Sequence, residues 1–399
     1  PPYRIDTSLN MVVLALVLGF AVLYAALRGV FSVFELPALA RRWRAQQRER
    51  VAQTALLNGL VLWMTGRFTR SRKAALQALG QVESLLSVAP PENQASLGLM
   101  RSLLHLLAAE SAHALRDHPA REQHFQQVLA HGEGAKVGQR LELRDAAYLN
   151  AVRWALHDRD NSTAQQYLKL LPHGTARRTL ALRLRLKADR LGQHHLPALD
   201  TARLLKKHGA FSETAANSLI RELVMAHLND AHDSAQLQTA WGQLEASERE
   251  APEVVLHATQ RLHKLGAPAT EVMPWLTPLW NRMVQQPDSC APAMRHRIVL
   301  ALSRTLLMVP PDADWLASID RARQTYPRWV ELQFLAGMVC WHHALWGKAQ
   351  QMLEMAAPQL MQAELQRQAW RTLALLAEHK EETARAQIYW KRAAEVVIA

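Results

Sequence analysis

The sequence predicts an all-α protein: one apolar helix of membrane-spanning length, followed by a solenoid of about seven to nine stacked helical hairpins. Three observations predict it. The stretch LNMVVLALVLGFAVLYAAL, Leu9 to Leu27, carries a single polar side chain, Asn10. From Arg48 onward apolar residues recur three and four apart, and no segment keeps the strict alternation that a half-buried strand requires. Proline- and glycine-bearing breaks such as VAPPENQ, AHGEGAKVG, KLGAPAT and VPPDAD separate segments long enough for two antiparallel helices each.

The first element follows from its length. At about 1.5 Å per residue, Leu9–Leu27 makes a helix of roughly 28 Å, the thickness of a hydrocarbon core. It lacks both the polar stripe of a soluble core helix and the short apolar region of a cleaved signal. Arg4 and Asp6 before it nearly cancel, whereas Arg28, Arg41, Arg42, Arg44, Arg48 and Arg50 follow it. Basic flanks resist translocation and favour anionic lipid, so the carboxyl-terminal side is expected in the cytoplasm. The expected organisation is a periplasmic stub at 1–8, a transmembrane helix at 9–34, a basic juxtamembrane segment at 35–50 and a cytoplasmic repeat domain at 51–399. Pro1 stands where a methionine would start a chain, and further sequence with a second span is expected before it.

Charge and cysteine content bound the remainder. The chain holds 47 Lys+Arg against 35 Asp+Glu, a formal net charge of +12, and the excess persists beyond the juxtamembrane segment. Such a charge suits anionic lipid, nucleic acid or an acidic protein face equally. Two cysteines, Cys290 and Cys340, make neither a disulfide framework nor a zinc site.

The repeat is clearest from Phe334 to Pro358, where Gly337, Ala349, Leu353 and Ala356 give small, small, large, small at helical-hairpin spacing. Small residues let the second helix press on the first, and the large one fills the groove between hairpins. Thirty-seven residues later Ala374, Ala386, Trp390 and Ala393 repeat the intervals, with Trp370 four residues before Ala374. Earlier, Gly59, Gly66 at the turn, Ser71, Ala75 and Ala78 echo the pattern, as do Val152, Ala164, Leu168 and Leu171. These units resemble the tetratricopeptide repeat. Between Phe211 and Tyr326 no full unit can be placed, and irregular hairpins are expected.

The order of parts resembles a known family. A span preceded by YRIDTSL and followed by LPALARRWRAQQRERVAQTALLNGLVLWMTGRFTRSRKAAL, then by such hairpins, is similar to the HemY family. The resemblance implies a bacterial inner-membrane protein of proteobacteria associated with haem biosynthesis, usually with two amino-terminal spans. It does not extend to the flavin-dependent protoporphyrinogen oxidase that has shared the family's name.

Sites of chemistry are sparse. GEGAKVG, Gly132 to Gly138, follows a helical stretch rather than a strand and reads as a turn, and no GxxxxGK[ST] loop occurs. Cys340 and His343 are the only candidate haem ligands; they share a helical face, and His342 points away from both. His113, His118, His124 and His131 match no zinc spacing. Arg41, Arg42, Arg44, Arg48 and Arg50 read as a lipid-facing flank. Arg177, Arg178, Arg185 and Lys187 form a solvated face without stacking aromatics, so no nucleic acid is expected. Trp154, Trp241, Trp370 and Trp390 are assigned to core packing. The sequence reading is therefore a non-enzymatic scaffold that needs no cofactor. Its partners, by resemblance, are late haem-pathway enzymes such as ferrochelatase or coproporphyrinogen oxidase; the alternative is a haem or porphyrin carrier.

Overall fold

The computed structural model describes residues 8–87, 91–130, 137–310 and 312–396, with the backbone alone described at 29–42, 44, 45, 91, 92, 137, 140 and 289. Nearly all of the expected stub, the GEGAK stretch of the proposed turn, His131 and the side chains of Arg41, Arg42 and Arg44 lie outside the described residues. Among the described residues there are helices and no strand.

The chain forms two compact units, divided after Ala188. The first contains α1 (Leu9–Met64), α2 (Phe68–Leu86), α3 (Pro91–Ala114), α4 (His118–Ala130), α5 (Val137–His157), α6 (Asn161–Lys169), the single turn α7 (His173–Ala176) and most of α8 (Thr179–Leu191). The second contains α9 (His195–Lys207), α10 (Glu213–Asn229), α11 (Ser234–Gly242), the short α12 (Ala246–Arg249), α13 (Pro252–Lys264), α14 (Ala269–Gln285), α15 (Pro292–Leu306), α16 (Ala313–Thr325), α17 (Val330–His342), α18 (Trp346–Ala356), α19 (Ala363–His379) and α20 (Thr383–Glu395). Helices pack as hairpins, α1 on α2, α3 on α4 and α5 on α6 in the first unit, and α10 on α11, α13 on α14, α17 on α18 and α19 on α20 in the second. Alternate helices also touch, α1 on α3 and α3 on α5 in the first unit, α13 on α15 and α17 on α19 in the second, so these hairpins bury a face against their neighbour within the unit. That is the architecture of a tetratricopeptide-like α-solenoid.

One turn recurs. Gly66, Arg116, Arg159, Ala344 and Glu381 take positive φ between 56° and 75°, each just past a first helix. The residue after each donates its N–H to a carbonyl five back: Arg67 to Leu62 at 2.8 Å, Asp117 to Ala112 at 2.9 Å, Asp160 to Ala155 at 2.8 Å, Leu345 to Cys340 at 2.9 Å and Glu382 to Ala377 at 2.8 Å. This left-handed cap satisfies the last carbonyls and fixes the angle at which the second helix returns. Five residues beyond the left-handed position stand Ser71, Arg121, Ala164, Ala349 and Ala386. Twelve residues before each lie Gly59, Ala109, Val152, Gly337 and Ala374.

These positions are where helices approach. A Cβ at Gly337 would lie 2.8 Å from Cγ and Cδ2 of Leu353, and one at Gly59 would lie 2.9 Å from Leu107 Cδ2. Ser71 Oγ donates to the Gly59 carbonyl at 2.8 Å and receives a hydrogen bond from Ser111 Oγ at 3.2 Å. Ala164, Ala349, Leu353, Ala356, Ala374, Ala386 and Ala393 are all buried. Trp370 is buried and stacks on Tyr389, with the Arg392 guanidinium 4.8 Å from its ring centre. Trp390, assigned to the core, is only half-buried; its Nε1 donates to Glu378 Oε1 at 2.7 Å, so it lies across the hairpin's edge.

The middle of the second unit is irregular, with identifiable causes. α12 is a single turn, a 3₁₀ turn at Pro287–Ser289 precedes α15, and α14 contains Pro274 and Pro278. Each internal proline removes one amide donor from the helical ladder. At the other end α1 runs unbroken for 56 residues. Its first part, Leu9–Arg28, is the one helix among the described residues long and apolar enough to cross a membrane, and none of it is buried by protein.

Candidate partner-binding site

A concave surface of the second unit flanks the short helix α12. Glu245 caps that helix, its N–H donating to Glu248 Oε2 at 2.9 Å. Glu248 is thereby turned inward and buried, which would be costly for a lone carboxylate. Arg203 of α9 compensates: its Nε donates to Glu248 Oε1 at 3.0 Å and its Nη2 to Glu248 Oε2 at 2.5 Å. Arg203 Nη1 also donates to Asp200 Oδ1 at 2.9 Å. The Glu248 hydrogen bonds push the guanidinium further above its usual range against the opposing effect of burial. This two-point clamp ties α9 to α12.

One groove, about 960 Å³, lies over this clamp with an apolar floor of Leu204, Ile220, Val224 and Val254. Its rim is polar: Lys206 Nζ donates to Asn217 Oδ1 at 2.7 Å, Arg221 Nη1 to Glu253 Oε1 at 3.3 Å, and Lys207 is exposed. A second groove of about 670 Å³ lies on the other side of α12. There Trp241 and Trp275 stack with ring centres 4.4 Å apart at 12°, beside exposed Pro274 and Pro278. Trp241, expected in the core, is thus half-exposed on a groove wall, because α11 ends immediately after it. Apolar floors ringed by a few placed polar groups are what binding surfaces require.

The sequence-nominated ligands do not form a common site. Cys340 is enclosed in α17, where burial pushes its thiol up from the usual range. His342 and His343 together line a cavity of about 290 Å³ with Met273, Leu306, Val309 and Trp315, and Cys340 is not among its lining residues. His342 therefore does not point away from His343. The helix ends between them, and the turn swings both rings to the same cavity. His342 Nε2 donates to the Val309 carbonyl at 2.7 Å, which occupies the nitrogen a metal would take. The cavity is also at the lower limit for a drug-sized ligand. Of the basic flank, Arg48 and Arg50 are exposed, as are Arg177, Arg178, Arg185 and Lys187.

A cluster not foreseen from sequence lies in the first unit. His113 at the end of α3 and His157 and Asp158 at the end of α5 bring one ligating atom each to within 4.8 Å of one another. Arg121 of α4 reaches the same point, its Nη1 lying 2.7 Å from Asp158 Oδ2 and 3.0 Å from His113 Nδ1. His118 Nδ1 lies 3.7 Å from Asp158 Oδ2. The signal available in the sequence was the repeat register, since Arg116 and Arg159 end equivalent helices and set the following turns side by side.

The fold is that of a helical-repeat protein led by one helix long and apolar enough to cross a membrane. Residues 1–89 match the family model described as the HemY protein N-terminus. No curated protein matches. Among solved structures, the crystal structure of the P58(IPK) TPR domain matches at 13% identity over 86% of this chain and 99% of that one. Its TM-score of 0.23 carries no argument about the arrangement of the helices.

Proposed function

We propose that this chain is a docking platform held at the cytoplasmic face of the bacterial inner membrane, where it gathers enzymes of late haem biosynthesis. Residues 9–34 act as the anchor, 35–50 as its basic lipid-facing flank, 51–399 as the repeat domain, and 1–8 lie in the periplasm. It works by binding rather than by catalysis. Holding two enzymes on one tethered scaffold makes the hand-over of an intermediate nearly intramolecular, at an effective concentration that can reach the millimolar range. That gain matters most for a reactive and poorly soluble porphyrin.

The observation that carries this reading is the groove over the Arg203–Glu248 clamp, a preorganised surface that the packing of the second unit does not fill. The haem connection rests on the family of residues 1–89. Partners on this reading are ferrochelatase or coproporphyrinogen oxidase. A photocrosslinking residue at Lys207 or Asn217 in the full chain, activated in cells, should capture one of these enzymes. The charge reversal Lys207→Glu with Arg221→Glu should reduce capture at least about tenfold, as expected when rim charges steer association. Capture at equal yield from Arg371, an exposed residue of α19 that does not line the groove, would sink the assignment of the surface.

A further inference from the structure

We propose that His113, His157 and Asp158 bind a divalent transition-metal ion, zinc in particular, across the second and third hairpins of the first unit. The proposal does not depend on the docking reading. Two imidazoles and a carboxylate are a donor set suited to zinc, which takes nitrogen and oxygen ligands at about 2.0–2.2 Å and often keeps a fourth position for water. The three ligating atoms already lie within 4.8 Å of one another, and His157 and Asp158 are exposed, open to an ion from solvent. His118, whose Nδ1 is 3.7 Å from Asp158 Oδ2, stands within reach as a fourth donor.

The scaffold preorganises this set. The left-handed turns at Arg116 and Arg159 fix where α3 and α5 end, so His113 and His157 are held on helix ends and Asp158 on the tight turn that follows. The His113 ring lies against Trp154, with centres 5.9 Å apart, and edge-on to His157 at 5.1 Å.

Arg121 supports the assignment. At its register position the four related hairpins carry Ser71, Ala164, Ala349 and Ala386, so packing does not call for a long basic side chain there. Its guanidinium instead sits on the lone pairs of Asp158 Oδ2 and His113 Nδ1 that a metal would use. Arg121 is thus the resident cation, which an incoming metal ion must displace. It sets the affinity of the site by competing for it.

The test uses the untagged full chain in detergent, stripped with chelator, titrated with Co²⁺ followed by absorption and with Zn²⁺ followed by calorimetry. Saturable binding of one ion per chain is expected. His113→Ala with Asp158→Asn should weaken it at least about 30-fold, and Arg121→Met should strengthen it about tenfold, within the range by which groups around metal ligands act. The Arg121→Met arm guards against loss through misfolding, because it predicts a gain. Binding that is absent, that survives His113→Ala with Asp158→Asn, or that weakens in Arg121→Met overturns the proposal.

Discussion

Gly337 has no side chain because Leu353 occupies the space one would fill. With Leu353 Cγ and Cδ2 both 2.8 Å from an added Cβ, Gly337→Ala must part α17 from α18 or drive Leu353 off its rotamer. Overpacking of that kind costs about 1–3 kcal/mol, and urea denaturation of the full chain should show it as a lowered midpoint with unchanged slope. Leu353→Ala added to Gly337→Ala should recover part of that overpacking loss, although its own cavity costs stability. A second residue-scale prediction concerns pH. Burial, with Arg121, His157 and Arg153 adding to it and Asp158 opposing, pushes the His113 imidazole down to about 4. Unfolded, the ring takes a proton near 6.5, so between these values the unfolded state binds more protons and stability falls with falling pH. The ring is partly solvated, so solvent screening reduces the effect to about 1 kcal/mol. In chelator, the urea midpoint should drop between pH 7.5 and pH 5, and drop less in His113→Gln. Gly337 was legible in the sequence through its intervals to Ala349 and Leu353. Arg121 was not, because a basic side chain at a small-residue position breaks the pattern that would have located it.

At the scale of elements, α1, α2 and α3 are joined by a buried chain of two hydrogen bonds, Ser111 to Ser71 and Ser71 to the Gly59 carbonyl. Ser71 is fully enclosed. Ser71→Ala removes the acceptor of the Ser111 hydroxyl and the second donor to the Gly59 carbonyl, so a loss of about 1–3 kcal/mol is expected. Hydrogen exchange should find the loosening concentrated in α1 to α3, with α17 to α20 unchanged; uniform loosening would contradict a hairpin-by-hairpin stack. The same logic explains which elements the sequence revealed. α17 to α20 follow the small-residue register without interruption, and their pairing could be read directly. From α10 to α16 the register is broken by the single-turn α12, the 3₁₀ turn and the two prolines of α14, so helicity was visible but pairing was not. The groove flanking α12 was hidden for the same reason. It is assembled from Arg203, Asn217 and Glu248, residues from three helices with no common spacing, and the Arg203–Glu248 pair spans 45 positions.

For the molecule as a whole, the sequence order of apolar helix, arginines and hairpins already stated the organisation, since each part is a local pattern. What decides the behaviour of the intact chain is that none of the described residues covers Leu9–Arg28. Leu14, Leu16, Val17, Leu18, Phe20 and Leu23 are all more than half exposed. In water each such side chain forgoes about 1.5–3 kcal/mol of burial. Lipid recovers it, and the full chain should sediment with membranes and resist extraction by high salt or carbonate. Ala15→Arg with Gly19→Arg places two charges near the middle of the span, at about 2.5–3.5 kcal/mol each on an insertion scale, and should shift the chain to the soluble fraction. Arg48→Glu with Arg50→Glu should leave it membrane-bound, because apolar length rather than these charges holds it there, while weakening attraction to anionic vesicles by about 1 kcal/mol for each positive charge removed. Protease added to spheroplasts should spare the hairpins in the unaltered chain. Digestion of the hairpins in intact spheroplasts would place them outside and remove the basis for a cytoplasmic docking platform.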